Sequence, residues 1–445
     1  MNIDQGGINA LPMSLPNPVI VVPGITATYL RDDYVLPPEV VWSVMTKTYE
    51  RVSLHPNNLR YEAVEPARVR ADQIFEVAYR ELIEELRHNL QETEDEPVPV
   101  YPFSYDWRMP LDVIEEQLAE FIQEVIQRTL LMRHYYNDAQ FQTTPRVNLV
   151  AHSMGGLIIT GYLERAGRNA PVGKVATLAT PFGGSFEAIV QISTGTASLG
   201  TSPPSSRARE ASRVTPALYH LLPSCAGLTL DDAPVGDMFD PQLWQPSVVQ
   251  TLREYIRLHG VNVNDVQQEA QDLFASMLAT AQAHRRRITN FRLDGTALKA
   301  SDWLCVVGAN SETRIRLQMK QTPTGPEFEF KSSDRDNLWD GSDNDADRWE
   351  TGDGTVPFAG AIPAFLSLEN LVVVTPSDYG YWEVQDRLLS SVSGFHGILP
   401  NMDMLHRLLV RHFTSQADTH GNTWGRPAPG VTRDGWKPPL PLEAK

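Results

Sequence analysis

Residues 147–165 constrain this chain more than any other stretch. Val147-Asn148-Leu149-Val150 is a short apolar run suited to a buried strand, Ala151–Gly156 is a turn, and Leu157–Arg165 has helical character. A strand that enters a helix through a tight turn, with small residues two positions before and after a serine, is the setting of a nucleophile elbow. Ala151 stands where glycine is usual, a departure of one methyl group. The turn is expected to lift the Ser153 hydroxyl above the sheet and to aim the Met154 backbone N–H and the helix N-terminus at any oxyanion formed there. A Ser–Gly turn that only caps a helix shares the short pattern, and the flanking strand and helix favour the chemical reading.

Further short apolar runs, Val19–Val22, Val98–Tyr101, Val175–Ala179, Leu304–Gly308 and Leu371–Thr375, are continuous rather than alternating. Strands of that kind are buried on both faces. Between them, Ile74–Leu90 and Val113–Leu131 place apolar residues at i, i+3, i+4 and i+7, so strands alternate with helices and a doubly wound, mostly parallel α/β sheet is expected. Residues 186–290 break the rhythm: they hold no convincing strand and carry helical patterns at Val248–Leu258 and Val266–His284. They read as an inserted, mainly helical cap between core segments 1–185 and 291–420, with 421–445 as a loose tail rich in proline and glycine. Arg314–Met319 and Glu327–Phe330 alternate in period two around Pro323-Thr324-Gly325-Pro326, which predicts a β-hairpin.

A serine elbow needs a base and an acid, which follow it in the order acid, then histidine. Asp353 lies between Gly352 and Gly354, in a loop tight enough to present its carboxylate to an imidazole. His396, in Gly394-Phe395-His396-Gly397, follows the last apolar run and precedes a helix over Met402–His412. The chain has eleven histidines, so position and order must choose among them. His406 and His412 fall within that helix and read as surface residues, and the His152 side chain is expected to leave the elbow in another direction. A second oxyanion donor is expected from Pro23-Gly24-Ile25-Thr26, directly after the first strand, with the Ile25 amide first and Thr26 second.

Net charge is −17, from 38 basic and 55 acidic residues. That balance repels phosphodiester backbones and excludes nucleic acid as a partner, because the only basic run, Arg285-Arg286-Arg287, is short and reads as a solvated helix end. No stretch is apolar enough to span a bilayer, and residues 1–18 lack a secretory pattern, so a soluble, cytoplasmic protein is expected, with leaderless export the alternative. Cys225 and Cys305 read as two free thiols. No cofactor and no metal are expected. The aspartates at 334, 336, 340, 343, 345 and 347 fail the calcium-loop pattern, because Arg348 stands where glycine is needed, and read as a solvated acidic loop.

The chain resembles the lecithin:cholesterol acyltransferase family, which includes lysosomal phospholipase A2 and phospholipid:diacylglycerol acyltransferase. The resemblance rests on Val22-Pro23-Gly24, Tyr105-Asp106-Trp107-Arg108, Ala151–Gly156, Thr180-Pro181-Phe182-Gly183-Gly184, Gly352–Pro357 and the His396 loop, in the family's order. It implies an α/β-hydrolase fold, a triad of Ser153, Asp353 and His396, oxyanion donors at Met154 and Ile25, and a cap that gates an acyl-chain groove; the acidic balance opposes electrostatic adsorption to anionic lipid but leaves room for transient membrane contact through an apolar cap. Thr26, Asp106, Trp107 and Phe182 would then contact substrate, although Tyr105–Arg108 reads equally as a loop packed around Trp107. The implied activity is acyl transfer from a lipid ester to water or to an alcohol. The alternatives are a thioesterase or glycolipid deacylase on the same scaffold, and a non-catalytic lipid-binding module.

Overall fold

The computed structural model describes residues 15–43, 46–64, 66–195, 205–337, 339, 349–383, 385–386, 394–416 and 425–440. Six strands form the central sheet: β1 (Val19–Val22), β2 (Val100–Pro102), β3 (Val147–His152), β4 (Val172–Leu178), β5 (Trp303–Gly308) and β6 (Leu371–Val374). Their order is β2-β1-β3-β4-β5-β6 and every neighbouring pair is parallel. Nearly every residue of β1, β3, β5 and β6 is fully buried, which is why these strands read as unbroken apolar runs. This is an α/β-hydrolase fold.

Helices α1 (Glu76–Leu90), α2 (Leu111–Leu130) and α3 (Met154–Ala166) follow β1, β2 and β3 in the chain. On α1 the buried residues Ala78, Tyr79, Leu82, Ile83, Leu86 and Leu90 make one stripe at helical spacing, as an amphipathic helix over a sheet requires. α3 comes so close to the sheet that a Cβ on Gly155 would collide with the Val22 carbonyl oxygen.

Residues 186–290 carry α4 (Phe186–Thr194), α5 (Ser206–Arg213), α6 (Pro216–His220), α7 (Ser247–His259) and α8 (Val266–Asn290). Contrary to the sequence reading, this segment also contains the short strands Leu228–Leu230 and Ala233–Pro234. The first pairs in parallel with Leu317–Thr322, one arm of the expected hairpin, whose other arm is Gly325–Glu329. The hairpin therefore extends a sheet begun some ninety positions earlier. α8 is fastened to the core by a buried carboxylate. Glu115 on α2 takes Arg287 Nη2 at 2.8 Å, Arg165 Nε at 3.0 Å and His284 Nε2 at 2.9 Å.

Three expectations are corrected by packing. His406 and His412 are buried in the last helix, Asp403–Thr414, where their rings meet the Pro400 and Val175 carbonyls. Arg285 is no solvated helix end: it is buried and gives its guanidinium to the carbonyls of Phe182, His220 and Leu222. Residues 425–440 are not loose, since Arg426 pairs with Val373, and Trp436 is buried with its indole N–H on the Leu371 carbonyl. A further excursion, absent from the sequence reading, joins β1 to α1. Thr28–Asp32, Glu39–Trp42 and Val69–Ile74 make a three-stranded sheet, and Leu54–His55 pairs with Asn58–Glu62. Tyr255 on α7 reaches that second pair, donating its hydroxyl to the Leu54 carbonyl.

Among the described residues no helix is long and apolar enough to cross a membrane, and no group of three or more histidine, cysteine or carboxylate side chains could hold a metal ion. Asp334 is buried against Arg314 and Asp336 faces Arg316, while Asp340, Asp343, Asp345 and Asp347 lie outside the described residues. Cys225 and Cys305 are both free thiols.

Candidate active site

Four loops converge at the carboxyl ends of the parallel strands. The turn after β3 holds Ser153 at φ 53°, ψ −127°, a strained backbone that non-glycine residues adopt only where the surroundings enforce it. The enforcement is visible. Ser153 N–H donates to Leu178 O at 2.9 Å, Gly156 N–H to Ser153 O at 3.0 Å, and a Cβ on Gly156 would collide with the Thr180 side chain.

The loop after β5 brings in Asp353. Its Oδ1 accepts the N–H groups of Thr355 at 2.9 Å and Val356 at 2.7 Å, which fixes the carboxylate so that Oδ2 faces outward to the histidine. Gly354, at φ 97°, makes the turn possible. After β6 comes the short helix Phe395–Ile398, and there His396 Nδ1 lies 2.7 Å from Asp353 Oδ2 and Nε2 lies 2.8 Å from Ser153 Oγ. An ionised carboxylate only accepts, so Nδ1 carries the proton and Nε2 faces the hydroxyl with its lone pair. The three residues are 7% (Ser153), 1% (Asp353) and 5% (His396) exposed, so the relay is shielded from bulk water.

The loop after β1 closes the fourth side. A Cβ on Gly24 would stand 3.0 Å from Ser153 Cβ, so this loop runs directly past the serine. Thr26 has φ 62° and its carbonyl accepts the Trp42 indole N–H at 3.3 Å, while Tyr105 donates its hydroxyl to Pro23 O at 2.7 Å. Ile25 is half-buried between these two anchors. Across the site, Met154 opens α3, and the N–H groups of a helix's first turn have no acceptor within the helix.

The side chains of the Tyr105–Arg108 segment are held by protein partners. Asp106 clasps Arg108, which also reaches Glu62 at 2.9 Å. Trp107 is buried, donates to Thr28 O at 3.2 Å and packs on Trp42 with ring centroids 4.8 Å apart. Trp107 thereby backs the loop after β1 through Trp42, whose indole N–H holds the Thr26 carbonyl. Phe182 likewise packs edge-on against Phe365, which abuts Phe291 and Trp303, in an aromatic cluster.

His152 does not leave the site. Its ring lies 4.9 Å from that of His396, its Nε2 is 2.9 Å from the His396 carbonyl and its Nδ1 is 2.7 Å from the Tyr79 hydroxyl. Burial, and then the neighbouring His396, hold its pKa well below the ordinary histidine value. Tyr79 was invisible as a site residue in the sequence, where it fills an apolar-stripe position of α1. Only its hydroxyl, at a place where phenylalanine would pack equally well, is a signal.

A sequence profile of the lecithin:cholesterol acyltransferase family matches residues 37–287. The chain belongs to that family. The matched span includes Ser153 and stops before Asp353 and His396. No curated protein sequence matches the chain. Among solved structures, a chain of the Tle4–Tli4 complex superposes with a TM-score of 0.59 at 15% identity, over 91% of this chain and 100% of that one. That likeness is one of fold. Phospholipase PlaB from Legionella pneumophila matches at 16% identity over 39% of this chain and 27% of its own, with a TM-score of 0.23. So low a score does not extend the fold comparison beyond the family.

Proposed function

We propose that this lecithin:cholesterol acyltransferase family member is a lipid acyl-hydrolase or acyltransferase that works through an acyl-enzyme on Ser153. The reading is carried by one observation: Asp353, His396 and Ser153 form a continuous hydrogen-bonded relay on a strained elbow, with the accepting nitrogen of His396 turned to the serine hydroxyl. In the first step Ser153 Oγ attacks the ester carbonyl carbon as its proton passes to His396 Nε2. Asp353 stabilises the imidazolium without taking its proton. The carbonyl oxygen becomes an oxyanion held by the backbone N–H groups of Met154 and Ile25.

The tetrahedral species collapses as His396 returns the proton to the departing alcohol, leaving Ser153 acylated. Water or a second alcohol then attacks that acyl group, with His396 as base, and Ser153 is regenerated. Hydrolysis and transfer use the same side chains, so their ratio depends on how far residues 186–290 and the attached hairpin keep water from the acyl-enzyme. In this reading those residues form a cap, and Leu258 and Val261, exposed on and just after α7, give it an apolar edge for brief contact with lipid.

The test is mass spectrometry of products from mixed phospholipid vesicles, with and without a long-chain alcohol, beside Ser153→Ala. Fatty acid or acylated alcohol that appears only with the intact serine is expected. Equal product from both proteins, or none from either, would remove the assignment. For the apolar edge, Leu258→Ser with Val261→Ser should slow turnover of vesicles and leave a soluble short-chain ester unaffected; equal loss on both substrates argues against lipid contact.

A further inference from the structure

Tyr79 and His152 form a buried chain of hydrogen bonds whose direction can be deduced atom by atom. The His396 carbonyl can only accept, so His152 Nε2, 2.9 Å away, must carry a proton. A neutral ring then leaves Nδ1 as an acceptor. The Tyr79 hydroxyl, 2.7 Å from Nδ1, must therefore donate to it. That uses the tyrosine's only proton, and its oxygen accepts the Gly24 N–H at 3.0 Å. Each hydrogen bond along the path from Gly24 to His396 thus has one direction. Burial of His152 keeps the ring in the neutral form on which this order depends.

The two ends of the chain are the two loops on which the proposed chemistry relies. At one end, Gly24 precedes Ile25 and passes 3.0 Å from Ser153 when given a Cβ. At the other, the His396 main chain is held through its carbonyl by His152 and through its N–H by the Asp353 carbonyl at 2.9 Å. Between them sits the residue that immediately precedes the nucleophile. A shift of either loop would move a donor or the base relative to Ser153, and misplacements of about 1 Å can cost on the order of 100-fold in rate.

We infer that Tyr79 and His152 are positioning residues for acyl transfer at Ser153, fixing the oxyanion loop and the base loop in mutual register through one directional hydrogen-bond chain. This rests on the function proposed above. Neither residue touches the reacting atoms. The neutral His152 ring also spares His396 a second positive charge at the moment it becomes an imidazolium, with the ring centroids only 4.9 Å apart.

The experiment compares Tyr79→Phe, His152→Phe, the double variant and His152→Gln with wild type in the full-length protein. Hydrolysis of a soluble nitrophenyl ester, labelling by a fluorophosphonate and the melting midpoint are measured for each. Glutamine can donate to the His396 carbonyl and accept from Tyr79, so it reproduces the chain. Expected are kcat losses of about 10-fold for Tyr79→Phe and about 30-fold for His152→Phe, with KM unchanged. The double variant should be no worse than His152→Phe, because both changes break the same chain, and His152→Gln should recover at least about a third of wild-type kcat. A purely structural role would lower the midpoint without this kcat pattern. If wild type turns over and Tyr79→Phe stays within twofold of it, or the two losses multiply, the positioning role is wrong while the Ser153 reading stands. If wild type neither turns over nor labels at Ser153, that reading fails and the positioning role falls with it.

Discussion

Asp353 holds His396 at two points. Its Oδ2 takes the ring Nδ1–H at 2.7 Å, and its backbone carbonyl takes the His396 backbone N–H at 2.9 Å. Orientation of the ring and placement of its main chain thus come from one residue in a loop that its own Oδ1 rigidifies.

The double contact allows the two roles to be separated by Asp353→Asn. The backbone bond survives, and an asparagine oxygen can still accept from Thr355 and Val356. The amide nitrogen then faces His396 Nδ1 as a donor and favours the tautomer with its proton on Nε2, which cannot take the serine's proton. Loss of about 10⁴ in kcat is expected, with a melting midpoint within a few degrees of wild type. A stopped assay against the same nitrophenyl ester checks it, and a loss below about 10-fold would mean that the aspartate does not set the tautomer.

The loop after β1 offers a steric test. Gly24 has an ordinary negative-φ backbone, so alanine is conformationally acceptable there, yet its Cβ would sit 3.0 Å from Ser153 Cβ and 3.5 Å from Oγ. Gly24→Ala should therefore cost little stability, within about 1 kcal/mol, and reduce kcat/KM by about 10-fold or more. Urea midpoints beside ester kinetics separate the two effects; equal losses in both would point to a folding defect instead.

Much of this site is legible in the sequence because its parts are local. The elbow, the Gly-Asp-Gly loop and the glycine before His396 each announce a tight turn at the end of an apolar strand, and the chain order does the rest. Tyr79 and His152 are illegible because their role exists only across β3 and α1, in partners 73 positions apart. The strands over residues 28–74 are illegible for a different reason: burial is irregular, as in Val69–Ile74, and charged or polar residues interrupt the apolar alternation, as at Arg31 and Asp32. Arg285 and Trp436 show the limit of composition. A basic run and a proline-rich end both suggest solvent, but buried carbonyls of His220 and Leu371 take their donors from those side chains.

The attachment of α8 to the core predicts a change of sign. A Cβ on Gly161 of α3 would collide with the Glu115 carboxylate, which Arg287, Arg165 and His284 hold in place. Alanine in place of a helical glycine ordinarily stabilises by about 1 kcal/mol, whereas overpacking a fixed group costs about 1–3 kcal/mol. Gly161→Ala should be destabilising in the wild-type background and stabilising in a Glu115→Ala background. Chemical denaturation of the four proteins in the cycle measures the coupling, and additive effects would show that the carboxylate moves aside freely.

His412 makes acid stability measurable at one residue. It is buried between the Val175 carbonyl, 3.1 Å from Nε2, and the Pro439 carbonyl, 3.4 Å from Nδ1. Burial first, and then Lys174, lower its pKa to about 4. In the unfolded chain it titrates near the ordinary value of about 6.5. Between those values the unfolded state binds a proton that the folded state refuses, so the residue's contribution is intact above about pH 6.5 and is lost as pH falls towards 4. Glutamine can donate to the same carbonyls and does not titrate. The other buried histidines are common to both proteins and cancel in the comparison. Lowering the pH from 7.5 to 5 should therefore cost wild type about 2 kcal/mol more than His412→Gln. Urea midpoints at the two pH values decide it: parallel losses would show that His412 accepts its proton in the folded protein as readily as in the unfolded one.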